Sequence, residues 1–273
     1  MEAPACVVIK WGGGLITDKS QLCTVREDVI ESLAVVVKQI QDAGLGVILV
    51  HGAGSFGHLR ARGWRLAEGR IEGHVDPSDA DCKSQDEAVE LVRRDMMTLN
   101  SSVVTGLAKA GCDVEVHPPH RWARNTGAGF EGNVQRLSAS ADGPVVVTWG
   151  DVTDCDSPKE FGILSGDDLV YRIATEIDGI ASLIFAIGDV PGLMSAPPSD
   201  PTSELLSEWS PADTFEGQHA SEQDVTGGIF LKAERAAAAA AMVPAVWFVD
   251  GRVPLRILEA ATGGEPIGTR IRA

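Results

Sequence analysis

Lys10 closes an apolar run, ACVVIKW from Ala5 to Trp11, directly ahead of Gly12, Gly13 and Gly14. An ammonium at the end of a buried strand is costly unless an anion pairs with it, although a lysine at a sheet rim can also snorkel to water. Lys232 ends the stretch DVTGGIFLK, where glycines open a helix, and Lys19 follows ITD. Asp167 and Asp168 fall in the first turn of another helix. The helix dipole favours an acid there, but two adjacent acids exceed what a cap requires, so one is available to orient lysines or a metal-bound phosphate. Backbone amides in such glycine turns can cradle a phosphate without side-chain clashes.

A second glycine loop follows the next apolar run in VILVHGAGSFGH, Val47 to His58. Its spacing, Gly52-x-Gly54-x-x-Gly57, spells a dinucleotide fingerprint. That reading requires the motif to open the first βαβ unit and an acid to end the next strand about 20 residues on. Neither holds: the loop follows the second strand, and the residues from Glu68 to Asp76 lie in a polar, glycine-containing stretch. A Walker loop is also absent. What the loop does offer is backbone amides free of side-chain clashes, which can cradle an anion such as phosphate. Taken alone, His58 would be an ordinary surface or core histidine. Two further strand ends, Gly150-Asp151 and Gly188-Asp189-Val190, complete a row of turns where open α/β sheets place ligands.

The elements that must position these groups can be read from periodicity. ACVVIKW, VILVH and GPVVVTWGDV (Gly143 to Val152) are β-branched runs of strands buried on both faces. Thr24 and Glu27 have capping-box spacing ahead of Val29, Leu33, Val36, Val37 and Ile40, and Ser84 and Glu87 open a second helix running towards Gly111. DVEVH resumes as a strand, DCDSPKEFG reads as a hairpin-like insertion, and SGDDLVYRIATEI as a helix burying Leu169, Val170, Ile173 and Ile177. SLIFAIGDV and AVWFVDG are further strands, and the alanine run after Lys232 suits close packing of a helix on the sheet. Alternating strands and helices predict an α/β fold: a three-layer αβα sandwich with an open, mainly parallel central sheet. A soft join near residue 142 divides it into halves, 1–142 and 143–273, of one continuous fold.

Composition sets limits on partners. A chain of 273 residues with 44% apolar content can bury a large core. Its formal charge of −16 repels phosphate backbones and anionic lipid, which argues against nucleic-acid and membrane partners. Any anionic ligand must be held by local groups. The five cysteines are odd in number and widely spaced, without a CxxC pair. With no secretory leader they read as reduced thiols in a cytoplasmic protein. No apolar run approaches the ~20 residues of a membrane span.

In their order, IKWGGGLITDK, VHGAGSFGH, GDV, ILSGDDLVYRIA, GDVPGL, DVTGGIFLK and the terminal IGTRIR resemble the amino acid kinase superfamily, and within it the isopentenyl phosphate kinases. The resemblance implies a phosphate acceptor over the N-terminal half and ATP with Mg2+ over the C-terminal half, in a homodimeric enzyme that converts isopentenyl phosphate to isopentenyl diphosphate. Lys10 and Lys232 would flank the transferring group, with Asp167 holding both. His58 would bind the acceptor's phosphate, and Gly52, Ala53, Gly54, Ser55, Gly150 and Asp151 would complete the acceptor site. Gly12, Gly13, Lys19, Ser165, Asp189, Gly192, Thr226, Gly227 and Gly228 would border the nucleotide. No residue is assigned as a direct metal ligand.

The chain departs from the family pattern at four points. Trp11 stands where a small or aliphatic residue is usual, Gly14 replaces a common serine, and GDVPG replaces TDVDG, altering Gly188 and Pro191. A fosfomycin-type phosphonate kinase shares the fold and a histidine at the end of the second glycine loop, so His58 does not discriminate, whereas ITDK, SGDD and DVTGG tilt towards the isoprenoid enzyme. A non-catalytic anion-binding protein on the same fold and a dehydrogenase are the rivals from other classes. Val89, Val92, Met96 and Met97 on the helix after Ser84 are candidates for a hydrocarbon pocket, with core packing the simpler account of each.

Overall fold

β1 (Cys6–Trp11) is buried along its whole length and pairs in parallel with β2 (Gly46–His51) on one side and β7 (Ile180–Ile187) on the other. This places the first strand at the centre of the sheet, where only a β-branched, uncharged run is expected, and makes Lys10 conspicuous. The computed structural model describes residues 5–18, 20–73, 81–213 and 228–273. Among these, the main sheet has eight strands in the order β3-β4-β2-β1-β7-β9-β10-β8. The remaining members are β3 (Val114–Val116), β4 (Val145–Trp149), β8 (Glu208–Trp209), β9 (Ala245–Asp250) and β10 (Gly268–Ile271). Only the β9–β10 pairing is antiparallel within it. A separate hairpin, β5 (Asp151–Asp154) with β6 (Phe161–Leu164), is the insertion read from DCDSPKEFG. β4, which follows the join near residue 142, inserts between β2 and β3.

Helices cover both faces, giving the three layers. Val7, Ile9 and Trp11 point into a core shared with α2 (Glu27–Asp42), α4 (Gln85–Lys109) and α7 (Leu255–Ala261). Cys6 and Val8 point to the opposite core, shared with α5 (Gly166–Glu176) and α6 (Gly228–Ala240). Because side chains alternate along a strand, Lys10 falls on the α5 and α6 face. Ala233, Ala236, Ala237 and Ala239 are buried there, so the alanine run lets α6 pack closely. Two short helices, α1 (Gly13–Ile16) and α3 (His58–Gly63), lie just beyond the ends of β1 and β2.

The two capping expectations diverge. Ser84 Oγ accepts the Glu87 amide at 3.2 Å, and the Glu87 carboxylate reaches back to the Lys83 amide at 2.7 Å, so α4 begins as expected. At α2 the N-cap is Arg26, with no side-chain cap, and Thr24 is not part of a box. The reason is competition: the Thr24 carbonyl accepts the Asp18 amide at 2.9 Å and its own amide donates to Ser55 Oγ at 3.2 Å. Val25 is still bridged to Thr17, so the chain remains extended at the point where a box would have turned it.

Candidate active site

The ends of β1, β2 and β7 and the start of α5 open onto one cavity of about 790 Å3. At its base the Lys10 ammonium forms a short ion pair with Asp167 Oδ1, and Lys232 Nζ lies 3.6 Å from Asp167 Oδ2. Asp167 is held for this role. It sits in the first turn of α5, its amide donates to Ser165 Oγ at 3.1 Å, and the Ser165 hydroxyl returns to Oδ2 at 3.3 Å. The Asp167 side chain is 1% exposed and Lys10 7%, against 18% for Lys232. The buried carboxylate is bracketed by two ammonium groups, which together bring positive charge to the cavity floor where an anion could be held. A Cβ on Gly166 would come within 3.2 Å of Lys10 Cε, so the glycine makes room for the lysine stem.

The two glycine loops form a single wall because they pack backbone against backbone. A Cβ on Gly52 would lie 2.6 Å from the Gly13 amide nitrogen, and one on Gly13 would collide with the Gly54 amide. Gly54 also has φ +50°. Thr17, fully buried, ties the loops together: its hydroxyl donates to the Gly13 carbonyl at 2.8 Å and accepts the Ser55 amide at 3.0 Å. His58, half-buried at the start of α3, lines the cavity beyond the second loop.

Of the residues singled out from sequence, Lys10, Gly12, Gly13, Gly52, Ala53, Gly54, Ser55, His58, Gly150, Asp151, Ser165, Asp167, Asp189 and Lys232 line this one cavity. Two of them face inward less than expected. Ser55 Oγ is engaged by the Thr24 amide. The Asp151 carboxylate is buried and turned to His120 Nδ1 at 2.7 Å and to the neighbouring Val152 amide at 2.9 Å, so it braces the wall through hydrogen bonds rather than facing into the cavity. Gly192 is not brought to the cavity: it packs under β10, where a Cβ would lie 2.6 Å from Thr269 Oγ1. Gly228 opens α6. Lys19, Thr226 and Gly227 lie outside the described residues.

The structure also explains one departure and adds residues that spacing did not reveal. A Cβ at Gly188 would lie 2.7 Å from Leu15 Cα, because α1 rests directly on this strand end; a threonine does not fit there. Trp11 is fully buried on the face away from Lys10 and serves the core. Arg26 lines the cavity and donates to the Gly14 carbonyl at 3.4 Å. Its only sequence signal was its place beside the misread cap. Val92 and Met96 both line the cavity while packing in the core, whereas Val89 and Met97 belong to the packing alone.

His51, the last residue of β2, is completely buried and stacks on Trp149 with ring centroids 5.4 Å apart. Burial pushes its imidazole down to about 4, against weaker opposing effects from the Gly52 carbonyl and Asn100. It is therefore neutral at physiological pH and supports the loop without adding charge.

A doubly covered parallel sheet with lysines, a bracing aspartate and paired glycine loops at its strand ends is the site of a phosphotransferase. The amino acid kinase family model matches residues 5–250, and the chain belongs to that family. It is similar to the isopentenyl phosphate kinase of Thermoplasma acidophilum, with 31% identity covering 97% of this chain and all of the relative. Similarity to the isopentenyl phosphate kinase of Haloferax volcanii is 32% identity over 97% of this chain and 98% of that one. Among solved structures, the product complex of the T. acidophilum isopentenyl phosphate kinase superposes with a TM-score of 0.76 at 28% identity, covering 98% of this chain and 100% of that one.

Proposed function

We propose that this chain transfers the γ-phosphoryl group of ATP to the phosphate oxygen of isopentenyl phosphate, giving isopentenyl diphosphate and ADP. The observation that carries the reading is the convergence of Lys10, Asp167 and Lys232 with both glycine loops and His58 on one cavity. The full-length similarity to isopentenyl phosphate kinases supports it.

The acceptor needs no general base, since a phosphomonoester has its second pKa near ~6 and is already an anionic nucleophile at neutral pH. The barrier is instead the approach of one polyanion to another. Lys10 and Lys232 would neutralise the equatorial oxygens as charge redistributes, and Asp167 would keep the two ammonium groups from separating. His58 and the amides of the second loop would hold the acceptor's phosphate, with Gly150 and Asp151 beside it. Val92 and Met96 would meet its hydrocarbon. Gly12, Gly13, Ser165 and Asp189 would face the nucleotide, joined by Lys19, Thr226 and Gly227.

Among the described residues no group of three or more His, Cys, Asp or Glu converges as a metal cage. Of the acids that line the cavity, Asp167 pairs with the lysines and Asp151 bonds to His120, while Asp189 also borders the cavity. Magnesium would arrive on the ATP phosphates, where it supplies charge neutralisation. The acceptor would lie mainly over 1–142 and ATP mainly over 143–273, with Gly12, Gly13 and Lys19 reaching the nucleotide from the first half and Gly150 and Asp151 the acceptor from the second, in a homodimeric, cytoplasmic enzyme; light scattering and cell fractionation test the last two.

A panel of isopentenyl phosphate, dimethylallyl phosphate, longer prenyl phosphates and fosfomycin with Mg-ATP, followed by coupled ADP release, tests the proposal. Turnover should be greatest with isopentenyl phosphate. Preferential turnover of fosfomycin, or none with any acceptor, would sink it.

A further inference from the structure

The second acid of the α5 pair has a partner that the reaction centre does not use. Asp168, whose side chain is 5% exposed, accepts a hydrogen bond from Arg235 Nε at 2.7 Å. The same guanidinium lies over the Tyr171 ring, 5.7 Å from its centroid. Asp168 and Tyr171 stand three residues apart on α5, and Lys232 and Arg235 three residues apart on α6, so each pair shares a helix face. Asp167 therefore reaches Lys232 one turn before Asp168 reaches Arg235.

We propose that Asp168 and Arg235 form a positioning pair that fixes the register of α6 so that Lys232 is presented at the cavity floor. This rests on the phosphotransfer reading for Lys232. Three features carry it. The α6 face against α5 and the sheet is built largely of Ala233, Ala236 and Ala237, which pack closely but present little shape to resist sliding or rotation. A slip of one residue turns a helix by about 100° and would carry Lys232 off the site. The Asp168–Arg235 bond is directional and within hydrogen-bond distance at 2.7 Å, whereas Lys232 Nζ stands 3.6 Å from Asp167 Oδ2. A planar guanidinium held by a carboxylate and an aromatic face from one helix is a fixed anchor, which a lysine's flexible point charge is not. Asp168 also stays out of the reaction: it balances Arg235, leaving Asp167 to balance the two lysines.

The test uses the full chain with Arg235→Met, Arg235→Lys, Asp168→Asn and the Asp168→Asn/Arg235→Met double variant. Arg235→Met should lower kcat at least ~10-fold, since small misplacements of a catalytic group are expensive, while the KM for isopentenyl phosphate changes less than about twofold. Arg235→Lys should recover part of that loss by restoring the charge. The double variant should be no worse than the poorer single one, because both remove the same contact. An acceptor-independent measurement separates this from failure of the functional reading: modification of Lys232 by an amine-reactive ester, followed by mass spectrometry with and without Mg-ATP. Protection of Lys232 by Mg-ATP should be strong in the wild type and weakened in Arg235→Met. Wild-type kcat and undiminished protection in Arg235→Met, or a loss confined to acceptor KM, would overturn the positioning role. Absence of acceptor turnover with the protection pattern intact would count against the acceptor alone.

Discussion

Lys232 Nζ lies 3.6 Å from Asp167 Oδ2 while Lys10 is bonded closely to the other oxygen of the same carboxylate. The two lysines are thus unequal. Lys10 is buried at the end of the central strand, and Lys232 is the more exposed of the two.

That inequality separates two variants. Lys232→Ala should lower kcat by roughly 10²–10³, the usual cost of one lost electrostatic donor, with little change in KM and an unaltered melting profile. Lys10→Ala should show a similar kinetic loss and also a lower Tm, because it removes the closest partner of a carboxylate that is 1% exposed. Steady-state kinetics beside calorimetry distinguish them. An effect of Lys232→Ala limited to KM would contradict a transition-state role.

His58→Ala tests the acceptor side. The residue is half-buried on the cavity wall, so its removal should abolish most transfer to isopentenyl phosphate and raise the acceptor KM while the fold persists. Near-normal turnover in the coupled assay would remove His58 from the phosphate site.

The contact between the glycine loops predicts a different failure. Gly52→Ala places a methyl group 2.6 Å from the Gly13 amide nitrogen, so one loop must move. Overpacking of this kind costs about 1–3 kcal/mol, and both substrates should bind less well because the loops form one wall. Denaturant titration and paired KM measurements check this, and a change in only one KM would show that the loops act separately.

His51 gives a pH dependence whose sign is fixed. Its folded value, about 4, lies below the ordinary histidine value of 6.5, so between these limits the unfolded chain binds the extra proton. Stability therefore rises with pH across that window and falls as pH drops from 6.5 towards 4, by on the order of 3 kcal/mol from this residue. Urea unfolding of His51→Gln at a series of pH values should show a shallower slope over the same interval. An unchanged slope would mean that His51 protonates without unfolding.

The parts legible in the sequence were those with local causes. Lys10 stood out because an ammonium interrupts a β-branched strand, and strand alternation then sends it to the face where α5 and α6 carry Asp167 and Lys232. The Ser84 cap was legible because its hydroxyl is taken by the Glu87 amide three residues on, a purely local partner. The Thr24 box was not, since the amide and carbonyl of Thr24 are taken by Ser55 and Asp18, one of them 31 residues distant. Gly192 is placed beside the nucleotide by the family resemblance, but the packing of β10 decides its surroundings. Gly188 stands in sequence as a departure from the family's TDVDG, and in the fold it is a close contact with Leu15. Arg235 carried no motif at all; its meaning comes from Asp168, 67 positions earlier.

The central claim is that the phosphate of isopentenyl phosphate is itself the acceptor. Phosphorus NMR of isopentenyl phosphate with Mg-ATP and the purified protein reads this directly. The account predicts that the phosphomonoester resonance is replaced by two mutually coupled diphosphate resonances as ATP converts to ADP. Persistence of the monoester signal, with ATP intact or hydrolysed only to ADP and inorganic phosphate, would contradict it.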